Sequence, residues 1–342
     1  MQRWLRSGSL VALLVLGLTG CDAQTSLKEL AQQIPSRPAP QRPQNPQTPT
    51  DLSPRAPADA AASTPVAAYR VPTITIASFN IQVFGTSKLR KQPVMEVLAQ
   101  VIRRFDVVAI QEVRSTDDSV LPDFVQLINA NGSRYAFVIG PRLGRTNSKE
   151  QYAILFDTTR IEVDLRSVYT VASPQDLLHR PPLVGRFRVR DVPPDLAFTF
   201  NLVDVHTDPD ETSTELDALA AVFVGVQQNG SGEDDVILLG DLNVDENHLG
   251  NLGRLPHIGH AISGVTTNTR RNKMYDNIVF DQQATVEYTG RSGVLDLIAE
   301  YGLTEQQALE VSDHCPVWAE FSVYEGHRGG LIATRPGEVP RR

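Results

Sequence analysis

Between Val71 and Tyr324 one pattern recurs: a short apolar run, rich in β-branched residues, stops at a polar residue or a turn. The runs are ITIASFNI near Ile74, DVVAIQ at Asp106, YAFVIG at Tyr135, YAILF at Tyr152, LAFTFNLVDV at Leu196, DVILLG at Asp235, YDNIVF at Tyr275 and PVWAEFSV at Pro316. Segments this short, bounded by turn residues, read as strands. Helical patterns fall between some of them. Val94, Val97, Leu98, Val101 and Ile102 share one helix face, and Thr212 and Glu215 stand at capping-box spacing ahead of Leu216, Leu219, Ala220 and Phe223. Strands interleaved with helices bury their apolar faces only by stacking in layers, so an α/β fold is expected, with sheets inside and helices outside. The chain has 342 residues, 41% apolar and 21% charged, the composition of a globular protein. Residues 71–324 suffice for one large core and show no internal repeat.

The flanks differ from this body. Arg3 and Arg6 precede an apolar run from Leu10 to Leu18, which is followed by Thr19, Gly20 and Cys21. A run of about nine residues is too short to cross a hydrocarbon core about 30 Å thick, so residues 1–21 read as an export signal. Its LTGC end resembles a bacterial lipobox, which implies lipidation at Cys21 and an exported, membrane-anchored lipoprotein on the periplasmic or cell-surface side; a plain secretory signal is the alternative. Residues 22–70, with prolines dense from Pro35 to Pro65, read as a disordered tether of polyproline character. Residues 325–342 read as a polar tail. Cys21 and Cys315 are the only cysteines, so a disulfide scaffold is excluded.

Chemistry concentrates where the apolar runs stop. Asn80 follows ITIASF; its carboxamide suits a neutral oxygen ligand or a donor to phosphate. Glu112 ends DVVAIQ, where a carboxylate is expensive to bury without a cation, be it a metal or a neighbour such as Arg114. Asp241 and Asn243 follow VILLG two residues apart, so in an extended segment they point the same way and pair a charged acceptor with an amide. His206 closes FNLVDV, and His314 lies in SDH ahead of PVWAEF. Each is available to a carboxylate, Glu150 or Asp276, as an acid/base pair.

Six motifs thus occur in order: FNIQVFG, IQEVRS, SKEQY, DVHTD, GDLN, and the pair YDNI and SDH. In this wording and order the chain resembles the endonuclease/exonuclease/phosphatase superfamily, nearest to its deoxyribonuclease I branch. The resemblance implies a four-layered α/β/β/α sandwich of two packed mixed β-sheets flanked by helices, with Mg²⁺ or Mn²⁺ at one end. Carried over, it makes Glu112 the principal metal ligand with Asn80 close by and Asp313 behind the second side of the site. Glu150 orients His206, Asp276 orients His314, and Asp241 and Asn243 position water and phosphate. Arg114 matches the arginine that enters the minor groove in those nucleases, whereas their tyrosine before Lys-Glu is replaced by Ser148. The reaction implied is in-line attack of water on a phosphodiester by a monomeric enzyme acting on DNA.

Charge runs against an easy polyanion partner. Between positions 71 and 324 there are 21 basic and 34 acidic residues, so nucleic-acid contact would rely on local cations and metal. The candidates are Arg142, Arg145 and Lys149 beside one acid/base pair, and Arg270, Arg271 and Lys273 ahead of Asp276. A phosphoesterase of phospholipid head groups or inositol phosphates, and a non-catalytic module on the same fold, are the competing readings.

Overall fold

The computed structural model describes residues 72–326 apart from positions 147, 174 and 191; the signal, Cys21, the tether and the tail beyond Gly326 lie outside the described residues. In chain order the first half runs β1 (Thr73–Phe84), α1 (Thr86–Leu89), α2 (Gln92–Ile102), β2 (Val107–Val113), α3 (Val120–Asn129), β3 (Tyr135–Ile139), β4 (Gln151–Asp157), β5 (Ile161–Thr170) and β6 (Leu183–Val189). The second half runs β7 (Thr199–His206), α4 (Thr212–Gln227), β8 (Val236–Asp241), β9 (Ile258–His260), β10 (Asp276–Asp281), β11 (Tyr288–Val294), α5 (Leu297–Tyr301), α6 (Glu305–Val311) and β12 (Val317–Ser322).

The apolar runs are continuous because the central strands are buried on both faces. Along β1, Ile74 and Ile76 enter the core between the sheets while Ala77, Phe79 and Ile81 enter a second core under the helices. Strand β2 divides the same way, Val107 and Ala109 against Val108 and Ile110. In β8, Ile237 and Leu239 face the inter-sheet core, and Val236 and Leu238 face a third core shared with Leu216, Leu219 and Phe223 of α4. Three cores define four layers, as expected. Aromatic contacts seal the middle one: Phe198 stacks on Phe321 of the opposite sheet with centroids 5.9 Å apart.

The two sheets have orders β11-β12-β1-β2-β4-β3 and β5-β6-β7-β8-β10-β9. Their pairing patterns coincide. In each, the third and fourth strands are parallel, β1 with β2 and β7 with β8, and every other pair is antiparallel. Helical crossovers join both parallel pairs, α1 and α2 in the first sheet and α4 in the second. Parallel strands end at the same edge, and their antiparallel neighbours start there. Hence Asn80, Glu112, His206 and Asp241 near strand ends meet Glu150, Asp276 and His314 at or just before strand starts, on one rim.

Two local expectations change. Thr212 and Glu215 form no capping box: the Thr212 hydroxyl donates to the Asp208 carbonyl, and the Glu215 carboxylate accepts from the backbone N–H groups of Asp208 and His179. A residue buried this deeply serves the loop before α4 rather than its first turn. The body also runs past Tyr324, since the Glu325 N–H donates to the Leu196 carbonyl at 3.0 Å. Among the described residues no helix is long and apolar enough to cross a membrane.

Candidate active site

Backbone distortion aims the first carboxylate. The parallel β1/β2 register shifts between Asn80 and Phe84, and Gln82, Val83 and Glu112 have φ of 35°, 51° and 62°. Bulges and left-handed backbone at non-glycine residues re-aim side chains and persist where surroundings hold them. Glu112 is held by the Val83 N–H, which donates to Oε2 at 2.7 Å, and by Arg114, 3.2 Å away. The Asn80 amide then donates to Glu112 Oε1 at 3.3 Å and to Asp241 Oδ2 at 3.0 Å, while its own oxygen accepts from the Gln82 N–H. Asn80 thus donates to both carboxylates, and its oxygen takes one backbone hydrogen bond.

Glycine is required at the head of the second carboxylate. At Gly240, φ is 151°, and a Cβ would sit 1.8 Å from the Val205 carbonyl oxygen. That approach brings Asp241 between two imidazoles: its Oδ2 lies 3.5 Å from His206 Nε2 and 3.4 Å from His314 Nε2. The opposite ring nitrogens meet their own carboxylates, His206 Nδ1 to Glu150 at 2.7 Å and His314 Nδ1 to Asp276 at 2.9 Å. Thr267 donates to Asp276 Oδ2 at 2.7 Å, and the Ser312 hydroxyl, bonded to the Asn80 carbonyl, accepts from the His314 N–H. Asn243, with φ of 54°, donates its amide to the Thr207 carbonyl at 2.9 Å, and its N–H meets Asp241 Oδ1.

Burial alone would lower the pKa of both imidazoles. For His206 the hydrogen bond to Glu150 and the charges of Asp241 and Glu150 outweigh it, and the pKa rises. For His314 the charges of Asp276 and Asp241 carry it well above its ordinary value. Burial likewise works to raise the Glu150 carboxyl, but His206, Arg180 and Arg114 leave it lowered. Two carboxylate-backed imidazoles, each shifted toward its protonated form, thus flank one carboxylate. Two sets of side chains lie close enough to share an ion, Glu112 with Glu150 and His206, and Asp241 with Asp276 and His314. Asp313 is half-buried beside the second set, and its charge acts on His314.

The expected cations spread around this rim. Arg114 does not stand free: it bridges Glu112 and Glu150 and donates to Ser148. Arg142 is structural, donating to the carbonyls of Ser115 and Lys149. Arg145 pairs with Asp176 and Glu211, Arg270 with Glu305 at 3.1 Å and Arg271 with Asp296 at 2.6 Å. Lys149 and Lys273 are exposed. Three contributors escaped the sequence reading. Arg180 is buried, lies 3.3 Å from Glu150 and donates to the carbonyls of His206 and Thr207. Lys88 is buried below the site, donating to the carbonyls of Ile81 and Val311, with burial lowering its pKa to about 8. Asp204 accepts from Gln111 at 2.6 Å, and burial raises its carboxyl well above the usual range. Only Asp204 lay in a motif; nothing around Arg180 or Lys88 marked them.

A sandwich with carboxylates, carboxamides and two acid-backed histidines on one rim is the site of a hydrolase acting on phosphoester bonds. The chain belongs to the Endonuclease/Exonuclease/phosphatase family, whose pattern matches residues 77–314. It is 34% identical to Deoxyribonuclease-1-like 1 of Sus scrofa over 259 residues, covering 72% of this chain and 80% of that protein. It is 30% identical to Deoxyribonuclease gamma of Rattus norvegicus, covering 72% and 83%. Among solved structures, humanized D. rerio TDP2 with 14 mutations shares the fold, with a TM-score of 0.51, 16% identity and coverage of 73% of this chain and 98% of that one.

Proposed function

We propose that the chain is a divalent-metal-dependent endonuclease that hydrolyses DNA phosphodiesters by in-line attack of water. The observation that carries this reading is Asp241 Oδ2 faced by the Nε2 atoms of both histidines; the deoxyribonucleases among its relatives supply the polymer. Each imidazole is fixed in tautomer and direction by its carboxylate, so a proton on Nε2 points toward Asp241 and the space beyond it. A scissile phosphate seated there meets two N–H donors, which offset charge as it develops on the phosphorane oxygens. Asp241 stands where it can take a proton from the attacking water, and Asn243, anchored on Thr207, borders the same space.

The donor set suits a hard cation. Glu112 offers a carboxylate whose side chain is 12% exposed, enough to share an ion with solvent and phosphate, as Mg²⁺ does. Glu112, with Asp313 on the other side, would hold Mg²⁺ or Mn²⁺, and the ion would supply positive charge to the reacting phosphate. Asn80 supports Glu112 and Asp241 through its NH₂.

Arg270 and Arg271 are cations for the DNA backbone. Their partners are surface carboxylates, and such exposed pairs contribute only about 0–1 kcal/mol, so exchange for a phosphate costs little. Arg145 and Lys149 serve the opposite side in the same way. Arg114 acts through Glu112 and Glu150, close to the reacting groups. The enzyme works as a monomer held to a membrane through lipid on Cys21, a reading that rests on the N-terminal sequence alone. Supercoiled plasmid incubated with the purified chain and Mg²⁺ or Mn²⁺ is expected to be nicked, and EDTA to abolish it. Cleavage that survives chelation, or an intact plasmid beside turnover of a phospholipid or inositol phosphate, overturns the assignment. Cys21→Ser is expected to leave membranes with its activity intact; a variant still sedimenting with membranes refutes the anchor.

A further inference from the structure

At the end of the sandwich opposite the active rim, acidic side chains converge where none is needed for phosphoester chemistry. Strand β8 has Asp241 at one end and Asp235 just before the other, so roughly 20 Å of extended chain separates them. Glu287 immediately precedes β11, and Glu325 follows β12. Carboxylate oxygens of Asp235, Glu287 and Glu325 all lie within 4.8 Å of one another. Asp235 is 1% exposed and Glu287 is 0% exposed.

Hydrogen bonding leaves part of this cluster unanswered. Glu287 Oε1 accepts from the Gly326 N–H, and Glu325 Oε2 accepts from the Thr199 N–H at 3.1 Å. Glu287 Oε2 and Asp235 Oδ1 are buried with no hydrogen bond of normal geometry, and the Thr285 hydroxyl, buried as well, lies against Asp235, whose carboxyl it holds down against burial. No lysine or arginine among the described residues forms an ion pair with these carboxylates. Buried charges so placed are costly unless a cation or protons neutralise them. Left to protons, burial and the neighbouring charges push Asp235 up to about 9 and Glu287 to about 7.

We propose that Asp235, Glu287 and Glu325, with the Thr285 hydroxyl, form a binding site for a divalent cation of the calcium type. Oxygens bound to calcium at about 2.3–2.6 Å lie up to about 5 Å apart across the ion, which accommodates the observed spacing. Calcium is favoured over magnesium because it tolerates irregular oxygen sites and sheds water more readily. The ion would tie β8 of the second sheet to β11 and the end of β12 of the first. Nothing in this depends on the nuclease reading.

The test is a calorimetric calcium titration of the full chain at neutral pH in a Glu112→Ala background, which weakens metal binding at the active rim, paired with thermal melts. One ion is expected to bind with a Kd of about 10⁻⁴ M or tighter and to raise the melting temperature. Asp235→Asn with Glu287→Gln should remove both effects, and Glu325→Gln, at the least buried position, should weaken binding about tenfold or more. That single substitution carries the test if the double variant does not fold. Calcium binding and stabilisation unchanged by these substitutions, or no binding in the Glu112→Ala parent, overturns the proposal and leaves the cluster to protons.

Discussion

Asn80 donates its amide to Asp241 Oδ2 at 3.0 Å, although 161 positions separate the two in sequence and they lie on strands of different sheets. Its second bond goes to Glu112, so one carboxamide spaces two carboxylates that would otherwise repel. Asn80→Ala should lower turnover about 10- to 100-fold, the usual cost of losing a group that orients metal-site residues. Asn80→Asp should lower it further and reduce the melting temperature as well. Plasmid nicking rates and melts of both variants check this; equal rates in Asn80→Asp and the parent would contradict it.

Removing either histidine takes away a proton-transfer partner. His206→Ala and His314→Ala should each reduce turnover on the order of 10² to 10⁴ with the fold retained. Because both rings face the same Asp241 oxygen, the double variant should lose far less than the product of the single losses. Single-turnover rates of the three variants measure it, and strictly multiplicative losses would mean that the two rings act independently.

Stability should depend on pH through the same pairs. In metal-free buffer the raised pKa values of His206 and His314 make their contribution complete below about pH 6.5, the unfolded value. It is lost as pH rises through the folded values. The lowered Glu150 carboxyl contributes above its ordinary 4.5 and loses that contribution as pH falls through its folded value. His206→Gln should flatten the alkaline limb of a plot of melting temperature against pH, and an unaltered limb would refute the assignment.

Substrate size separates the rim cations from the centre. The double variant Arg270→Ala/Arg271→Ala should cleave DNA more weakly, with a shallower dependence on salt, yet hydrolyse a small chromogenic phosphodiester normally. Arg114→Ala should impair both substrates, since Arg114 touches Glu112 and Glu150. Unchanged DNA cleavage in the double variant would remove these arginines from the DNA path.

Gly240→Ala tests the backbone approach under Asp241. A Cβ 1.8 Å from the Val205 carbonyl oxygen forces β7 and β8 apart, and the destabilisation should exceed about 3 kcal/mol. A denaturant melt within about 1 kcal/mol of the parent would show that the strands yield there.

Layering was legible because strands buried on both faces leave continuous apolar runs, as in DVILLG, and because α2 shows its buried residues at helical spacing. Strand β5, with half-buried and exposed positions, and β11, with two glycines, lack such runs and were not anticipated. The spacing of Thr212 and Glu215 suggested a cap, yet the loop before α4 claimed the carboxylate. At the site, residue types at strand ends pointed to Glu112, His206, Asp241, Asp276 and His314. What no motif carries is a partner brought in from far along the chain: Arg180 sits on Glu150, and Arg114, expected beside Glu112, also reaches Glu150. Ion pairing of Arg145, Arg270 and Arg271 likewise depends on distant carboxylates.

Asn80 with Asp241, Glu150 with His206, and Asp276 with His314 each join one sheet to the other. A chain in which only one sheet has formed therefore holds half of each of these three pairs. Phosphoester chemistry built on such pairs would stay silent through synthesis and every partly folded stage, and would switch on with the docking of the two halves. A single local unfolding event that parts the sheets would switch it off again, so catalytic lifetime and the lifetime of the inter-sheet core should be one and the same quantity.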